Sequence, residues 1–365
     1  MNADVIVVGG GIAGVSAAAE LSARASVVVV EAEPTLNYHA SGRSAAMYSE
    51  CRGSEAIRLL TQRSREFFVD EGVTSPRSVL YVAPYDEPDT IGSMLAEFGT
   101  LVPSLREVDR DEIVTICDAV RPETVSTGML EPNAMELDVD LIASAFRRTA
   151  RRNGAEMLLE QRVTRIDRDG EMWRVGTGAD THRAPVIVNA AGAWGDQVAG
   201  LAGIPPLGLA PLLRSVFLFD PRRDAGHWPL LVDTGERWYL KPEGPNVLGS
   251  AASETPSPPV DARPDELDIA LGIERIGKTT DLSIRSVRSS WAGLRTFTPD
   301  RTPAVGFDPQ VEGFFWLVGQ GGSGIKTAPS LATYTASWIL DGCPPAWDEA
   351  DRLNGLVDPA RFVDG

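Results

Sequence analysis

Gly9, Gly11 and Gly14 stand at GxGxxG spacing, with an acid, Glu31, 22 residues beyond Gly9. This spacing suits a bound dinucleotide. The first glycine permits a sharp turn, the second lets backbone N–H groups approach a pyrophosphate, and the third lets a helix pack closely on a strand. The helix N-terminus adds partial positive charge for the phosphates. Glu31 would accept hydrogen bonds from the ribose hydroxyls and repel a 2′-phosphate, which disfavours NADP. Two arginines are equally suggestive. Arg295 lies among Trp291, Leu294 and Phe297, and Arg214 interrupts Leu212-Leu213-Arg214-Ser215-Val216-Phe217. A charge in such company is expensive unless paired. A substrate carboxylate is a natural partner, because a guanidinium meets it with two parallel hydrogen bonds; a structural Asp or Glu is the alternative. In Arg237-Trp238-Tyr239-Leu240-Lys241, strand alternation places Arg237, Tyr239 and Lys241 on one face and Trp238 and Leu240 on the other.

The elements that must position these residues are legible around them. Asp4-Val5-Ile6-Val7-Val8 is a strand-length apolar run, the alanine-rich segment to about Ala23 reads as a helix, and Val27-Val28-Val29-Val30 is a second strand ending at Glu31. Ser41 to Ala46 reads as a small-residue turn entering a helix, with Arg43 and Ser44 placed for phosphate or ribityl oxygens. Helical spacing runs from Ser54 to Phe68, and Asp138 to Arg152 reads as a helix closed by Gly154. Strand-like runs follow at Met157 to Glu160, Arg162 to Ile166 and Met172 to Val175. Pro185 to Asn189 is a buried strand that breaks into Ala190-Ala191-Gly192-Ala193-Trp194, a place where a cofactor can approach backbone closely. Asp265 and Glu266 start another helix after a proline-rich loop, Thr255 to Pro264. Last, Phe314 to Val318 feeds the glycine turn Gly319 to Gly324 and a helix from Ile325 to Leu340. That second anion-seeking helix N-terminus suits a flavin, whose reduced ring carries negative charge near N1 and the C2 carbonyl, with Lys326 adding to the field. The dinucleotide unit's place at the head of the chain likewise favours FAD over NAD.

Composition bounds the function. The 365 residues point to about two domains, and 43% hydrophobic with 23% charged residues is an ordinary globular mixture. A net charge of -17 disfavours nucleic acid and anionic lipid surfaces. The densest basic cluster, Arg147, Arg148, Arg151 and Arg152, reads as one face of a solvated helix. Cys51, Cys117 and Cys343 are odd in number and far apart, so neither a disulfide framework nor a zinc site is expected, and a reducing cytoplasm fits. His39, His182 and His227 are too few for a metal cluster or a serine-histidine triad. The first apolar run lacks a basic n-region, and no run approaches the ~20 apolar residues of a membrane span.

Gly42 to Ala46, Asn189 to Trp194, Trp291-Ala292-Gly293-Leu294-Arg295 and Gly319 to Ile325, together with the N-terminal unit, resemble the D-amino acid oxidase superfamily of flavoproteins. Within it the resemblance is nearest to bacterial D-arginine dehydrogenases, with glycine and sarcosine oxidases more distant. The resemblance implies an α/β fold: a Rossmann-like FAD-binding domain (1–78, 140–208 and 296–365) and an inserted α+β substrate domain on a mostly antiparallel sheet (79–139 and 209–295). It carries the flavin site to Gly9, Gly11, Ile12, Ala13, Gly14, Glu31, Ala32, Gly42, Arg43, Ser44, Ala45, Ala46 and Val163, then to Ala190, Ala191, Gly192, Trp194, Gly321, Gly322, Ser323, Gly324, Ile325 and Lys326. The substrate carboxylate falls to Arg295 with Tyr239 assisting. Arg214 matches a cavity arginine, and Lys241 matches the lysine that activates oxygen over the flavin in sarcosine oxidases. Gly293, where those oxidases attach flavin through cysteine, implies noncovalent FAD.

Departures from the pattern carry information too. Met47 stands where D-arginine dehydrogenases have an active-site histidine, Arg52 replaces a nearby tyrosine, Val79 replaces the acid that grips the substrate guanidinium, and Ser323 replaces a tyrosine. Arginine is therefore not the expected substrate; a neutral or acidic side chain is, and Arg52 either meets a second carboxylate or sits on the surface. The implied reaction is oxidative deamination of a D-amino acid to an imino acid by hydride transfer to flavin N5, then hydrolysis to a keto acid and ammonia. A neutral substrate amine would need no strong protein base. Oxygen or a quinone would reoxidise the flavin. An N-methyl or cyclic secondary amino acid, a 2-hydroxy acid, a noncatalytic flavin-binding component and an NAD-dependent dehydrogenase remain alternatives.

Overall fold

A computed structural model describes residues 1–178 and 180–363, so residues 364 and 365 of the expected 296–365 stretch lie outside the described residues. Its first layer is a six-stranded sheet in the order Ala304–Phe307, Phe314–Val318, Val186–Asn189, Val5–Val8, Val27–Val30, Glu156–Leu158. All neighbours are parallel except the edge pair Ala304–Phe307 with Phe314–Val318. The central strands are buried on both faces, which is why they read as unbroken valine and isoleucine runs. Val5, Val7, Val27, Val29 and Val188 face helices, among them Ile12–Leu21, Glu55–Asp70, Val139–Arg152 and Gly324–Asp341. Ile6, Val8, Val28, Val30 and Ile187 face the other way, toward Trp173 and Val175 of a small antiparallel sheet (Arg165–Asp169, Met172–Thr177, Asp180–Ala184).

The second large sheet runs Gln320–Gly321, Ser289–Phe297, Ala210–Phe219, Asn246–Ser250, Tyr239–Glu243, Leu230–Asp233, Val79–Pro84, Val125–Glu131, Arg106–Val108, with Thr255–Pro256 paired to the Ala210–Phe219 strand. It is antiparallel apart from the pairing of Leu230–Asp233 with Val79–Pro84. Its register places the chemistry. Leu212 opposes Arg295 and Arg214 opposes Gly293, so by alternation Arg214, Val216, Gly293 and Arg295 project from one face. Phe217, Phe219 and Leu240 fill an apolar cluster on the other face. The expected alternation holds at the next strand, where Trp238 and Leu240 enter that same cluster while Tyr239 packs in a separate one with Tyr81 and Leu248.

Helix limits follow local chemistry. Asp138 and Asp265 cap Val139–Arg152 and Glu266–Thr279 by accepting from backbone amides three or fewer residues on. One expectation fails here. Ser41 to Ala46 does not enter a helix: it holds a single 3-10 turn, Ala40–Arg43, then the short strand Met47–Tyr48, because Ser44 is extended and Ala46 sits at φ +25°, where an α-helix cannot continue. The run expected from Arg162 forms its strand three residues later, at Arg165–Asp169.

Candidate active site

Between the two large sheets lies a cavity of about 400 Å³, and the features singled out from the sequence converge on it from separate elements. One end is the parallel-sheet glycine turn. Gly9 has φ +108°, and a Cβ there would sit 2.5 Å from the Ala190 carbonyl oxygen. A Cβ on Gly14 would strike the Gly9 carbonyl at 1.9 Å, so Gly14 lets helix and strand touch and does not itself line the cavity. Gly11, Ile12 and Ala13 do line it, at a helix N-terminus that no side chain caps at Gly11. Glu31 closes this end: its carboxylate accepts from the amides of Gly10 (2.6 Å) and Glu33 (2.8 Å). Both carboxylate oxygens keep acceptor capacity facing the cavity, as a ribose partner requires. Ala32, Val163, Ala190, Ala191, Gly192 and Trp194 complete this wall.

A second helix N-terminus meets the first. Gly321, Gly322, Gly324 and Ile325 line the cavity, and a Cβ on Gly324 would stand in ordinary contact, 3.6 Å, with the Ile12 side chain. A Cβ on Gly322 would lie 3.0 Å from the Arg295 guanidinium. Two open helix ends, glycine-lined backbone and an anchored carboxylate at the far end fit an elongated, doubly phosphorylated cofactor.

The polar end is formed by Arg214, Tyr239, Arg295 and Thr296. Arg214, 7% exposed, donates through Nε to the Ser253 carbonyl at 2.6 Å and stands 3.5 Å from the Glu254 carboxylate. Among the described residues the Arg295 side chain makes no ion pair and no hydrogen bond. Burial and the neighbouring Arg214 charge hold its proton affinity below that of an ordinary arginine. Tyr239, 5% exposed, leaves its hydroxyl without a partner. Burial alone would raise that hydroxyl, but the charges of Arg295 and Arg214, the nearby Ser250 hydroxyl and Arg52 outweigh it, so the group is more acidic than a free tyrosine. Such an end suits an anion with two acceptor oxygens.

Other expected residues stand elsewhere. Lys241 does not reach the cavity: it is nearly fully buried between the carboxylates of Glu136 and Glu243, which pair with its ammonium. Lys326 also turns away, donating to the carbonyls of Ser49 (2.8 Å) and Arg52 (3.0 Å), since an ammonium buried here needs acceptors that the cavity wall does not offer. Gly42, Ala46 and Ser323 lie behind the lining. Met47 packs beside the cluster of Tyr81 and Tyr239 and contributes no polar group. Arg43 lines the cavity but gives its guanidinium to Asp261 (2.6 Å) and to the carbonyls of Ala262 (2.9 Å) and Ala292 (3.1 Å), stitching the proline-rich loop to the glycine end. Ser44 and Ala45 line the wall, and the Ser44 hydroxyl accepts from the Ala46 amide. Arg52 sits beside the polar end, paired with Glu236 at 3.0 Å.

Sequence reasoning missed Ser41, whose hydroxyl accepts from the Ile12 amide at 3.0 Å and so trims the helix N-terminus. It also missed Gln320, whose side-chain amide nitrogen is buried at the cavity without a partner, and Glu236. A hydroxyl next to a glycine turn was the one readable signal among them.

Residues 4–338 match the family described as DAO, FAD dependent oxidoreductase. The chain belongs to that family. FAD is the family's cofactor, and the cradle described above fits it. The FAD-dependent oxidoreductase domain-containing protein 1 of Bos taurus is 30% identical over 179 residues, 43% of this chain and 36% of that protein, so only about a third of its length is spanned. Glycine oxidase of Geobacillus kaustophilus is 23% identical over 360 residues and 92% of both chains. The fold is that of L-proline dehydrogenase from P. horikoshii, with a TM-score of 0.87, 22% identity and coverage of 100% of this chain and 98% of that one. Among the described residues no helix is long and apolar enough to cross a membrane, and no cluster of side chains is suited to a metal ion.

Proposed function

We propose that this protein oxidises a small α-amino acid, in the first instance a D-amino acid, at the bond between its α-carbon and nitrogen, giving an imino acid that water converts to a keto acid and ammonia. The observation that supports the reading is the half-buried, unpaired Arg295 guanidinium beside the buried, unpartnered Tyr239 hydroxyl at one end of the flavin cavity. FAD, when bound, supplies the acceptor for the hydride that leaves the α-carbon. The protein's part is binding and orientation. Arg295 takes the substrate carboxylate through two parallel hydrogen bonds, and Tyr239 donates a third. Arg214, already engaged by Ser253 and Glu254, contributes field without competing for the ligand. A substrate fixed by one end presents its α-hydrogen in a fixed direction, an orientation effect of several kcal/mol. His39 of the cavity lining lies against Glu33 at 3.1 Å, and an amine that enters neutral needs no strong protein base for hydride to leave.

The D configuration rests on the resemblance to D-arginine dehydrogenases. A secondary amino acid is the second reading, favoured by the near-complete overlap of this fold with an L-proline dehydrogenase. Gly293 lines the cavity with no side chain to bond a flavin, which supports noncovalent FAD. Acid precipitation is then expected to leave the yellow colour in the supernatant. The test of function is anaerobic mixing with a panel of D-, L- and N-substituted amino acids and 2-hydroxy acids. Bleaching of the flavin by small D-amino acids is expected; bleaching by 2-hydroxy acids alone overturns the reading. Hydrogen peroxide in air then tells oxygen from a quinone as acceptor.

A further inference from the structure

We infer that the site is built for a dicarboxylic substrate, with Arg52 as the specificity-determining residue that grips the carboxylate of its side chain. The inference rests on the reading above, in which Arg295 holds the α-carboxylate. Arg214 and Arg295 line the polar end beside the unpartnered Tyr239 hydroxyl, and Arg52 stands just behind that lining, near enough for its charge to act on the same hydroxyl. Only two carboxylates answer them. Glu254 lies 3.5 Å from Arg214 but is shared with Arg301 at 2.8 Å, and Glu236 pairs with Arg52 at 3.0 Å. An α-carboxylate on Arg295 leaves Arg52 dependent on Glu236 alone.

That pair is asymmetric. The Arg52 side chain is 23% exposed, whereas that of Glu236 is 57% exposed. Lys326 holds the Arg52 carbonyl at 3.0 Å, which fixes the backbone from which the guanidinium projects. Glu236 stands at φ +51° on the turn between Leu230–Asp233 and Tyr239–Glu243, with no partner other than Arg52 among the described residues. The turn itself is fastened next door, where Arg237 binds Asp233 and Glu87 and its carbonyl accepts from Arg275. So Glu236 can rotate into water without moving the hairpin, and an exposed ion pair resists that rotation little. Arg52 cannot leave without stranding a mostly buried charge. In the free protein Glu236 therefore keeps the place that a substrate's second carboxylate takes. A cationic side chain meets the opposite situation, since Arg52 repels it and Glu236 is already engaged.

The test is a binding titration of the FAD-loaded protein, read from the flavin absorption spectrum, with glutarate and succinate against their monoamides, glutaramate and succinamate. These ligands are achiral and unreactive, so neither configuration nor turnover enters. The diacids are expected to bind about tenfold or more tightly than the monoamides, as a charge-assisted hydrogen-bonded pair should. Arg52→Gln is expected to erase that preference, and Glu236→Gln, on an exposed turn, to enlarge it by removing the competitor. Equal binding of diacid and monoamide by the unaltered protein overturns the inference, as does a preference that neither variant moves. A diacid preference that follows Arg52, in a protein whose flavin no amino acid bleaches, upholds the dicarboxylate site and overturns instead the oxidation proposed above.

Discussion

Replacing Arg295 by methionine separates binding from folding with opposite signs. On the function side, the guanidinium supplies two charge-assisted hydrogen bonds to the substrate carboxylate, each worth about 1.5–3 kcal/mol. Their loss removes about 3–6 kcal/mol, or roughly 10²- to 10⁴-fold in kcat/KM at 1.4 kcal/mol per tenfold. Both KM and kcat carry the loss, because an unanchored substrate binds weakly and presents its α-hydrogen poorly. On the stability side, Arg295 has no partner in the free protein, and burial together with Arg214 depresses its proton affinity. A base whose folded-state pKa lies below its unfolded value destabilises the fold wherever it is protonated in both, which at pH 7 it is. Methionine of similar length removes that charge and keeps the packing, so Tm is expected to hold or rise by a few degrees. Steady-state kinetics on the best substrate and a thermal scan of the FAD-loaded variant decide the matter. A fall in Tm of more than about 5 °C alongside the kinetic loss would mean that Arg295 is a structural cation. A kcat/KM within tenfold of the original would mean that the carboxylate lies elsewhere.

Three further outcomes follow from the geometry. Gly9→Ala forces a Cβ to within 2.5 Å of the Ala190 carbonyl at φ +108°, so FAD content, read as the ratio of flavin to protein absorbance, is expected to fall sharply, with about 1–3 kcal/mol of strain or more lost from stability. Lys326 is depressed to about 7 by burial first and by the Arg52 charge next. The unfolded chain therefore binds more protons than the fold between about pH 7 and 10.5, so this lysine makes stability rise with pH across that window. Lys326→Met is expected to flatten the slope of denaturation midpoint against pH there, and an unchanged slope would refute the assignment. Lys241→Met removes a cation held by Glu136 and Glu243 away from the cavity, so a loss of about 1–2 kcal/mol in stability is expected with oxygen reoxidation of the reduced flavin unaltered. A collapse of that reoxidation rate would restore the oxygen-activating role.

The glycine unit was readable because its residues do one job each within thirty positions, and backbone sterics leave few substitutes for Gly9 and Gly14. Arg214 and Arg295 were readable because charges among aromatic and aliphatic neighbours need a reason. Lys241 and Lys326 misled because a lone lysine in an apolar context looks the same whether it serves a ligand or structural acceptors, and Glu136 is 105 positions from Lys241 while the Ser49 carbonyl is 277 from Lys326. The same distance problem hid Glu236 as the partner of Arg52 and Ser41 as the acceptor of the Ile12 amide. Alternation within one strand predicts a face; it says nothing of what the opposite sheet brings to meet it.

The strand order of the parallel sheet has a consequence for synthesis. Val5–Val8 lies between Val27–Val30 and Val186–Asn189, and the latter pairs outward with Phe314–Val318. During synthesis the Val5–Val8 strand must therefore wait for one made nearly two hundred residues later before its second edge is covered, and the helix Gly324–Asp341, whose N-terminus lines the cavity, comes later still. Until then the apolar Val5–Val8 strand presents an open edge, the state most exposed to mispairing with other chains. A cofactor seated in a cavity lined by both glycine turns would bind only once both have been made, and by mass action would draw the ensemble toward the folded state. Flavin supply during expression should thus govern soluble yield as much as it governs colour.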